Sequence, residues 1–229
     1  MMMRVINSTQ KILPEKIELD DVVDQDLISL MTNTPISPEN FYLTGYETIS
    51  FKRTREFALE TVLASVIPFE KDLLIAANNV DDLHIQKLCK IYGVNNSIIN
   101  LPEPQDELES LISSLAKERR YSHILLSCDV NKPERNEHIR QLAQLLRKTS
   151  IKLIVQCKRK LMNLKAVREF NISYMICNGM SSYISSVVLA RRSQLVQTEG
   201  LSRNSQFDLY NYWQTTLFSR KSGIKPMAI

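Results

Sequence analysis

The sequence predicts an α/β fold in which a mainly parallel sheet lies between two layers of helices, α/β/α. Two observations support this fold class. Short apolar stretches alternate with amphipathic stretches of helical period over most of the chain, and such alternation is typical of parallel sheets with right-handed crossovers. Several apolar stretches are also continuous, as expected for strands that helices cover on both faces.

The individual elements follow from the same pattern. The predicted strands are 73–78, 97–100, 123–128, 151–157, 174–177 and 186–191. The predicted helices are 54–67, 81–92, 105–120, 134–148 and 205–218, with one more near 20–32. Gly93 is the expected stop after the helix 81–92. Residues 1–50 are less regular, so we divide the chain into an N-terminal segment, 1–50, and one structural domain, 51–229.

Composition narrows the classes of function. The chain has 229 residues, of which 44% are hydrophobic, and a net charge of +4. This charge is too small to indicate nucleic-acid binding by itself. No apolar run reaches the roughly 18 residues that a membrane span needs. Four dispersed cysteines without an apolar leader sequence indicate free thiols and a cytoplasmic protein.

Three of the cysteines end predicted strands of the sheet: Cys128, Cys157 and Cys177. A site for a soft metal is one interpretation. The spacing matches no common zinc pattern, and cysteine is among the most buried residue types, so we favour core packing and expect no metal. The three histidines are isolated, which favours structural or solvent-facing roles.

Basic residues gather in loops after the strands. They are Lys52, Arg53, Arg55, Lys132, Arg135, Lys158, Arg159 and Lys160. A solvated loop surface is the simpler interpretation. An electropositive rim for an anionic small molecule is the alternative, with Arg53 and Arg55 at the start of a helix, where backbone amides favour anions. Nucleic acid is not expected, because aromatic residues do not alternate with these cations.

Four segments carry a resemblance to a known family. Residues 57–78, 122–128, 152–157 and 186–213 resemble class V aminotransferases of fold type I, in particular the 2-aminoethylphosphonate–pyruvate transaminases. The resemblance implies a fold like the family's large domain, with 186–191 as the antiparallel strand. It also implies a dimer, because members of this family pair through their large domains.

The family's cofactor positions are altered in this chain. Members hold pyridoxal phosphate (PLP) through a lysine imine, an aspartate on the pyridinium nitrogen and a loop of small residues around the phosphate. By the resemblance, Gln156 stands at the aspartate position, Ser181 at about the lysine position and Cys128 at the position of a stacking histidine. The phosphate loop reads Lys-Arg-Thr-Arg-Glu over 52–56, and no lysine lies between Lys165 and Lys221.

We therefore expect a catalytically inactive, transaminase-like protein with no catalytic residues and no PLP. Its role would be binding, scaffolding or regulation, through a homodimer interface or with another protein. The small C-terminal domain of the family is also expected to be absent. The alternative is an active PLP-dependent aminotransferase on aminophosphonates or amino acids. It would use a displaced lysine such as Lys158 or Lys160, or a partner chain that completes the site.

Overall fold

The structure is a computed structural model that describes residues 43–54, 56–77, 81–128, 133–158, 164–178 and 186–222. The predicted helix near 20–32, Arg55 and Ser181 lie outside these ranges, and so do the side chains of Cys128 and Lys158. Within the described ranges, the helices are too short or too polar to cross a membrane.

A sheet of seven strands forms the centre of the domain, in the order β1-β7-β6-β5-β4-β2-β3. The strands are β1 (Tyr46–Phe51), β2 (Asp72–Ala76), β3 (Asn96–Ile99), β4 (Tyr121–Cys128), β5 (Lys152–Lys158), β6 (Tyr174–Asn178) and β7 (Ser186–Arg191). β7 is antiparallel to both of its neighbours, and the other pairs are parallel. The predicted antiparallel position of 186–191 is therefore confirmed.

Helices cover both faces of the sheet. They are α1 (Phe57–Val66), α2 (Asp81–Ile91), α3 (Gln105–Glu118), α4 (Pro133–Leu146), α5 (Leu164–Glu169), α6 (Arg192–Leu195) and α7 (Leu209–Ser222). α3, α4 and α5 pack on one face, through residues such as Ile112, Leu142 and Val167. α1, α2 and α7 pack on the other face, through Leu63, Ile85 and Trp213. The α/β/α prediction is confirmed, because alternate strand residues contribute to each of two apolar cores.

Strand β1 is one of the elements that the sequence pattern did not predict. Its sequence, Tyr-Glu-Thr-Ile-Ser-Phe, breaks strict alternation with two adjacent polar residues, Glu47 and Thr48, yet these are only 4% and 5% exposed. Arg192, 145 residues away, donates to the Glu47 carboxylate from Nε at 2.7 Å. A contact so distant in sequence leaves no local pattern, and β1 begins before the predicted boundary at residue 50. Helix α5 was also not predicted, because six residues are too few to show a helical period.

The predicted helix ends are close to the observed ones. Gly93 follows α2 with a φ of +64°, and Val94 N–H donates to Cys89 C=O at 2.8 Å. This closing geometry needs a residue that tolerates the left-handed region, as predicted for Gly93. The predicted helix 205–218 divides into a 3₁₀ turn, Ser205–Phe207, and α7.

Candidate functional site at the carboxyl edge of the sheet

The parallel strands end together at one edge of the sheet, which we call the carboxyl edge. In open α/β sheets ligands bind outside this edge. The connections 78–80, 129–132, 159–163 and 179–185 leave this edge and lie outside the described residues. The described part of the site therefore consists of the strand ends and of the helix starts around them, including the start of α1 and that of α2, where Asp82 is 6% exposed.

Gln156 is the best defined polar residue at this edge. It lies on β5, on the sheet face that α1 and α7 cover, and is 8% exposed. Its register partner on β4 is Ser127, whose hydroxyl donates to Gln156 Oε1 at 3.2 Å. The amide is thus buried, neutral and held by a neutral hydroxyl, and no charge develops at this position.

Two more neutral residues continue this row on the same face. Asn178 ends β6, and its register partner Ser186 begins β7. Asn178 Oδ1 and Ser186 Oγ are buried and have no hydrogen-bond partner among the described residues. Buried polar atoms of this kind are normally satisfied, so both atoms mark a place where a polar group belongs. Together with Ser127 and Gln156 they form what we call the neutral row.

The start of α1 lies beside this row. Arg53 is exposed, and its guanidinium carbon lies 5.0 Å from the centroid of the Phe57 ring. Glu56 precedes the helix, and its Oε2 lies 3.0 Å from His84 Nε2. A carboxylate at a helix N-terminus interacts favourably with the helix dipole and competes with any other anion there. Anion binding by Arg53, Arg55 and Lys158 stays a prediction, since the last two side chains are outside the described part.

Aromatic residues close the space under the N-terminus of α1. The Tyr212 ring of α7 lies edge-on to Phe51 at 5.2 Å and to Phe57 at 5.8 Å. Trp213, next in sequence, is 6% exposed. Leu209 and Trp213 are thus buried in the core, and the contacts of the half-buried Tyr212 anchor α7 against β1 and α1.

The cysteines form a second row, in register across the three central strands. Cys157 pairs with Cys128 on one side and with Cys177 on the other. The Cys157 and Cys177 side chains are fully buried and form no disulfide, and Cys157 belongs to the core under α3, α4 and α5. Core packing is therefore the role that the geometry supports for these two. No cluster of three metal-binding side chains occurs within the described ranges.

The resemblance identified Gln156, whereas Ser127 and Ser186 were not singled out from the sequence. The alternation of side chains between the two sheet faces nevertheless contained a signal for a site at these strand ends. In β4 and β5 the position that follows the last buried apolar residue of this face is polar, as the burial of Leu125, Ser127, Ile154 and Gln156 shows. A polar residue at that position cannot serve the apolar core, so it indicates the floor of a site.

Comparison with known proteins shows which proteins the chain is similar to. No family model matches the chain. It is 27% identical over 207 residues to a 2-aminoethylphosphonate–pyruvate transaminase of Bacillus cytotoxicus, covering 86% of this chain and 54% of that protein. It is 21% identical over 178 residues to the same-named protein of Bacteroides fragilis, covering 74% and 49%. The chain spans about half the length of these relatives.

Solved structures support the fold. The ureidoglycine–glyoxylate aminotransferase of Bacillus subtilis has a TM-score of 0.56 at 14% identity, covering 90% of this chain and 59% of that one. The aspartate aminotransferase of Thermus thermophilus has a TM-score of 0.57 at 13% identity, covering 83% and 53%. The chain is therefore a relative, over about half of their length, of the 2-aminoethylphosphonate–pyruvate transaminases, with the sheet and helical layers of fold-type-I aminotransferases.

Proposed function

We propose that this protein keeps the large-domain fold of PLP-dependent aminotransferases and works as a binding or scaffolding protein instead of a transaminase. The observation that carries the proposal is the neutral row at the carboxyl edge. At the position where the resemblance expects an aspartate, Gln156 is buried and accepts a hydrogen bond from Ser127. The amide cannot act as the counter-ion of a pyridinium nitrogen.

The described residues do not fit PLP. A pyridinium partner needs a carboxylate, and the strand ends on this face present hydroxyl and amide groups instead. The imine needs a lysine amine, and the sequence has no lysine from 166 to 220, which includes the whole β6–β7 connection. We therefore derive no reaction step through this cofactor.

The proposed mode of action is association through the large domain, as a homodimer or with another protein. Asn178 Oδ1 and Ser186 Oγ favour a polar occupant of the crevice, because each is buried without a partner among the described residues. An anionic small molecule near Arg53 is one candidate for this occupant. The N-terminus of α1 would favour its charge, whereas Glu56 would oppose it.

A transaminase assay tests the proposal. The full chain is incubated with PLP, 2-aminoethylphosphonate and pyruvate, and alanine is measured against PLP without protein. We expect no alanine above this background, for the wild type and for Gln156→Asp, because a restored carboxylate does not supply a lysine. Turnover by the wild-type chain alone would overturn the proposal in favour of the alternative, an aminotransferase with a displaced lysine.

Sedimentation velocity tests the association. We expect a species of twice the chain mass at micromolar concentration, and a strictly monomeric chain would contradict the homodimer. Turnover that appears only after a second protein is added would indicate that the missing groups come from a partner chain.

A further inference from the structure

The sheet has two lateral edges, formed by β1 and β3, and they differ in burial. Five of the six residues of β1 are buried. In β3, by contrast, no residue is buried, and the Ile98 side chain is 40% exposed. The strand β3 is therefore an open strand at one side of the sheet, whereas β1 at the other side is covered.

The outer side of β3 carries backbone groups that the sheet does not use. β3 pairs with β2 in parallel, and the carbonyl groups of Asn95 and Ile99 accept from N–H groups in and directly after β2, at 2.9 and 2.7 Å. Successive residues of a strand point their N–H and C=O groups to opposite sides. Those of Asn96, Ile98 and Asn100 therefore point away from β2. A row of such groups is a template for another strand.

The usual protections of an edge strand are largely missing from β3. Edge strands commonly carry a lysine, a proline or a bulge that hinders pairing with another chain. Residues 94–101 read Val-Asn-Asn-Ser-Ile-Ile-Asn-Leu and contain neither a charge nor a proline. The register between β2 and β3 is continuous over its four residue pairs. Only the shortness of β3 limits its pairing with a further strand.

Exposed apolar side chains flank this strand. Ile98 is in register with Ile75, which belongs to the core under α1, α2 and α7, so Ile98 lies on the α2 face of the sheet. Gln86 Nε2 of α2 donates to Asn96 Oδ1 at 3.4 Å. α2 runs antiparallel to β3, so Leu83, one turn before Gln86, lies close to the level of Ile98. Leu83 is 61% exposed, and the two side chains form an apolar patch beside the open strand.

We propose that β3 pairs in antiparallel fashion with β3 of a second copy of this chain, with Ile98 on the twofold axis. The pairing rests on the homodimer that the proposed function includes, and it names the surface of that homodimer. In this register Ile98 lies opposite Ile98 of the second copy, and Asn96 lies opposite Asn100. The two strands then share about six main-chain hydrogen bonds, two for each opposing pair. An axis perpendicular to the sheet keeps both α2 helices on one face, so Leu83 and Ile98 of the two copies form one apolar cluster.

A second copy fits this edge better than a charged partner does. The strand offers no charge that would select an acidic or a basic segment. Its side chains match themselves, since Ile98 meets Ile98 and the Asn96 amide meets the Asn100 amide, each of which can donate and accept. The exposed residues Lys87 and Lys90 lie further along α2, and the axis near the start of this helix separates those of the two copies. The same patch on both copies is what a twofold dimer requires.

Disulfide cross-linking of the full chain tests the register. Opposing residues of a hydrogen-bonded antiparallel pair have Cα atoms about 5.5 Å apart, which is within the range of a disulfide. Under mild oxidation by copper phenanthroline in air, Ile98→Cys should form a covalent dimer on a non-reducing gel. Ile91→Cys, 70% exposed at the end of α2, is the matched control and should stay monomeric, as should the wild type.

No covalent dimer of Ile98→Cys, or equal amounts for both variants, would overturn the proposal. Slow reaction of the introduced thiol with maleimide would then show that another part of the chain covers this strand.

Ile98→Pro gives an independent measurement. It removes only an N–H group that points away from β2, so the β2–β3 pairing is kept. The dissociation constant of the dimer, measured by sedimentation velocity over a concentration series, should rise about tenfold or more. Ile98→Lys places like charges opposite each other on the axis and should have the same effect, whereas Ile91→Lys should have none. Urea unfolding shows whether the variants are folded.

The results distinguish this pairing from the proposed function. A wild-type dimer whose dissociation constant is unchanged in Ile98→Pro and Ile98→Lys would overturn pairing through β3 and leave the homodimer in place. A monomeric wild type would contradict both the homodimer and the pairing. Transaminase turnover by a chain that pairs through β3 would contradict only the proposed absence of catalysis.

Discussion

At the amino edge of the sheet, which lies opposite the carboxyl edge, buried carboxylates pair with arginines, whereas at the carboxyl edge the buried polar side chains of the strand ends are neutral. Asp72 is 5% exposed and accepts from Arg120 Nε at 2.5 Å, and Glu47 pairs with Arg192. At the carboxyl edge, by contrast, the Gln156 amide accepts a hydrogen bond from the Ser127 hydroxyl. Buried charged side chains thus occur at the amino edge, where their ion pairs join distant segments of the chain. The neutral row has no charged side chain, although a PLP pyridinium nitrogen would need a carboxylate there.

The largest expected effect concerns a buried histidine near the amino edge that stays neutral in the folded protein. His123 on β4 is 6% exposed. Its pKa is lowered to about 3, first by burial and then by the Lys152 charge. Because the unfolded pKa is about 6.5, the unfolded state takes up the proton first, and stability falls as the pH drops from 6.5 towards 3.

We expect a loss of about 2–3 kcal/mol in the free energy of unfolding between pH 6.5 and 4.5, since the slope approaches about 1.4 kcal/mol per pH unit. Urea unfolding over this range measures it. His123→Phe should remove this share of the slope. A His123→Phe variant with the wild-type slope would show that the pKa of His123 is the same in the folded and unfolded states.

The second prediction places a charge in the neutral row. Gln156→Asp should destabilise the fold by about 2 kcal/mol at pH 7, because a carboxylate at a site 8% exposed loses its hydration. Its folded pKa should lie above its unfolded pKa, so the deficit should shrink as the pH falls. Gln156→Asn is the neutral control of the same length. If Gln156→Asp is as stable as Gln156→Asn at pH 7, the side chain at this position is hydrated and the site is not shielded from water.

The third prediction removes a charge at the amino edge. Glu47→Gln should cost about 1–2 kcal/mol, measured by urea unfolding, because it breaks a pair in which the carboxylate is buried. The expected loss is modest because the Arg192 side chain is 61% exposed and is hydrated once the pair is broken. Glu137→Gln breaks the exposed i,i+3 pair with Arg140 and should leave the stability close to that of the wild type. Equal losses of stability for the two substitutions would show that the buried ion pair stabilises the fold no more than the surface pair does.

The smallest expected effect concerns the hydrogen bond inside the neutral row. Ser127→Ala leaves Gln156 Oε1 without its hydroxyl donor and should cost about 1 kcal/mol. Ser193→Ala, at an exposed position of α6, is the control and should be close to neutral. If both variants unfold at the same urea concentration as the wild type, the Ser127–Gln156 contact does not stabilise the site.

The sequence predicted the strands that carry continuous apolar runs, because burial on both faces leaves a local pattern, as in 123–128 and 174–177. It failed at β1, where Glu47 is compatible with burial only because of Arg192. In the site, Gln156 could be identified from the resemblance. Ser186 could not, because its position depends on the pairing of β7 with both β6 and β1. Pairing between distant strands is not encoded by local periodicity.

The measurement that tests the central claim most directly is the absorbance spectrum of the full chain after incubation with PLP and dialysis, followed by borohydride reduction and peptide mapping. We predict that no absorbance band of an imine is retained and that no single lysine is modified stoichiometrically, because the neutral row offers neither counter-ion nor amine. A retained band with one reduced adduct, on Lys158, Lys160 or any other single lysine, would contradict this account and identify the base of an active enzyme.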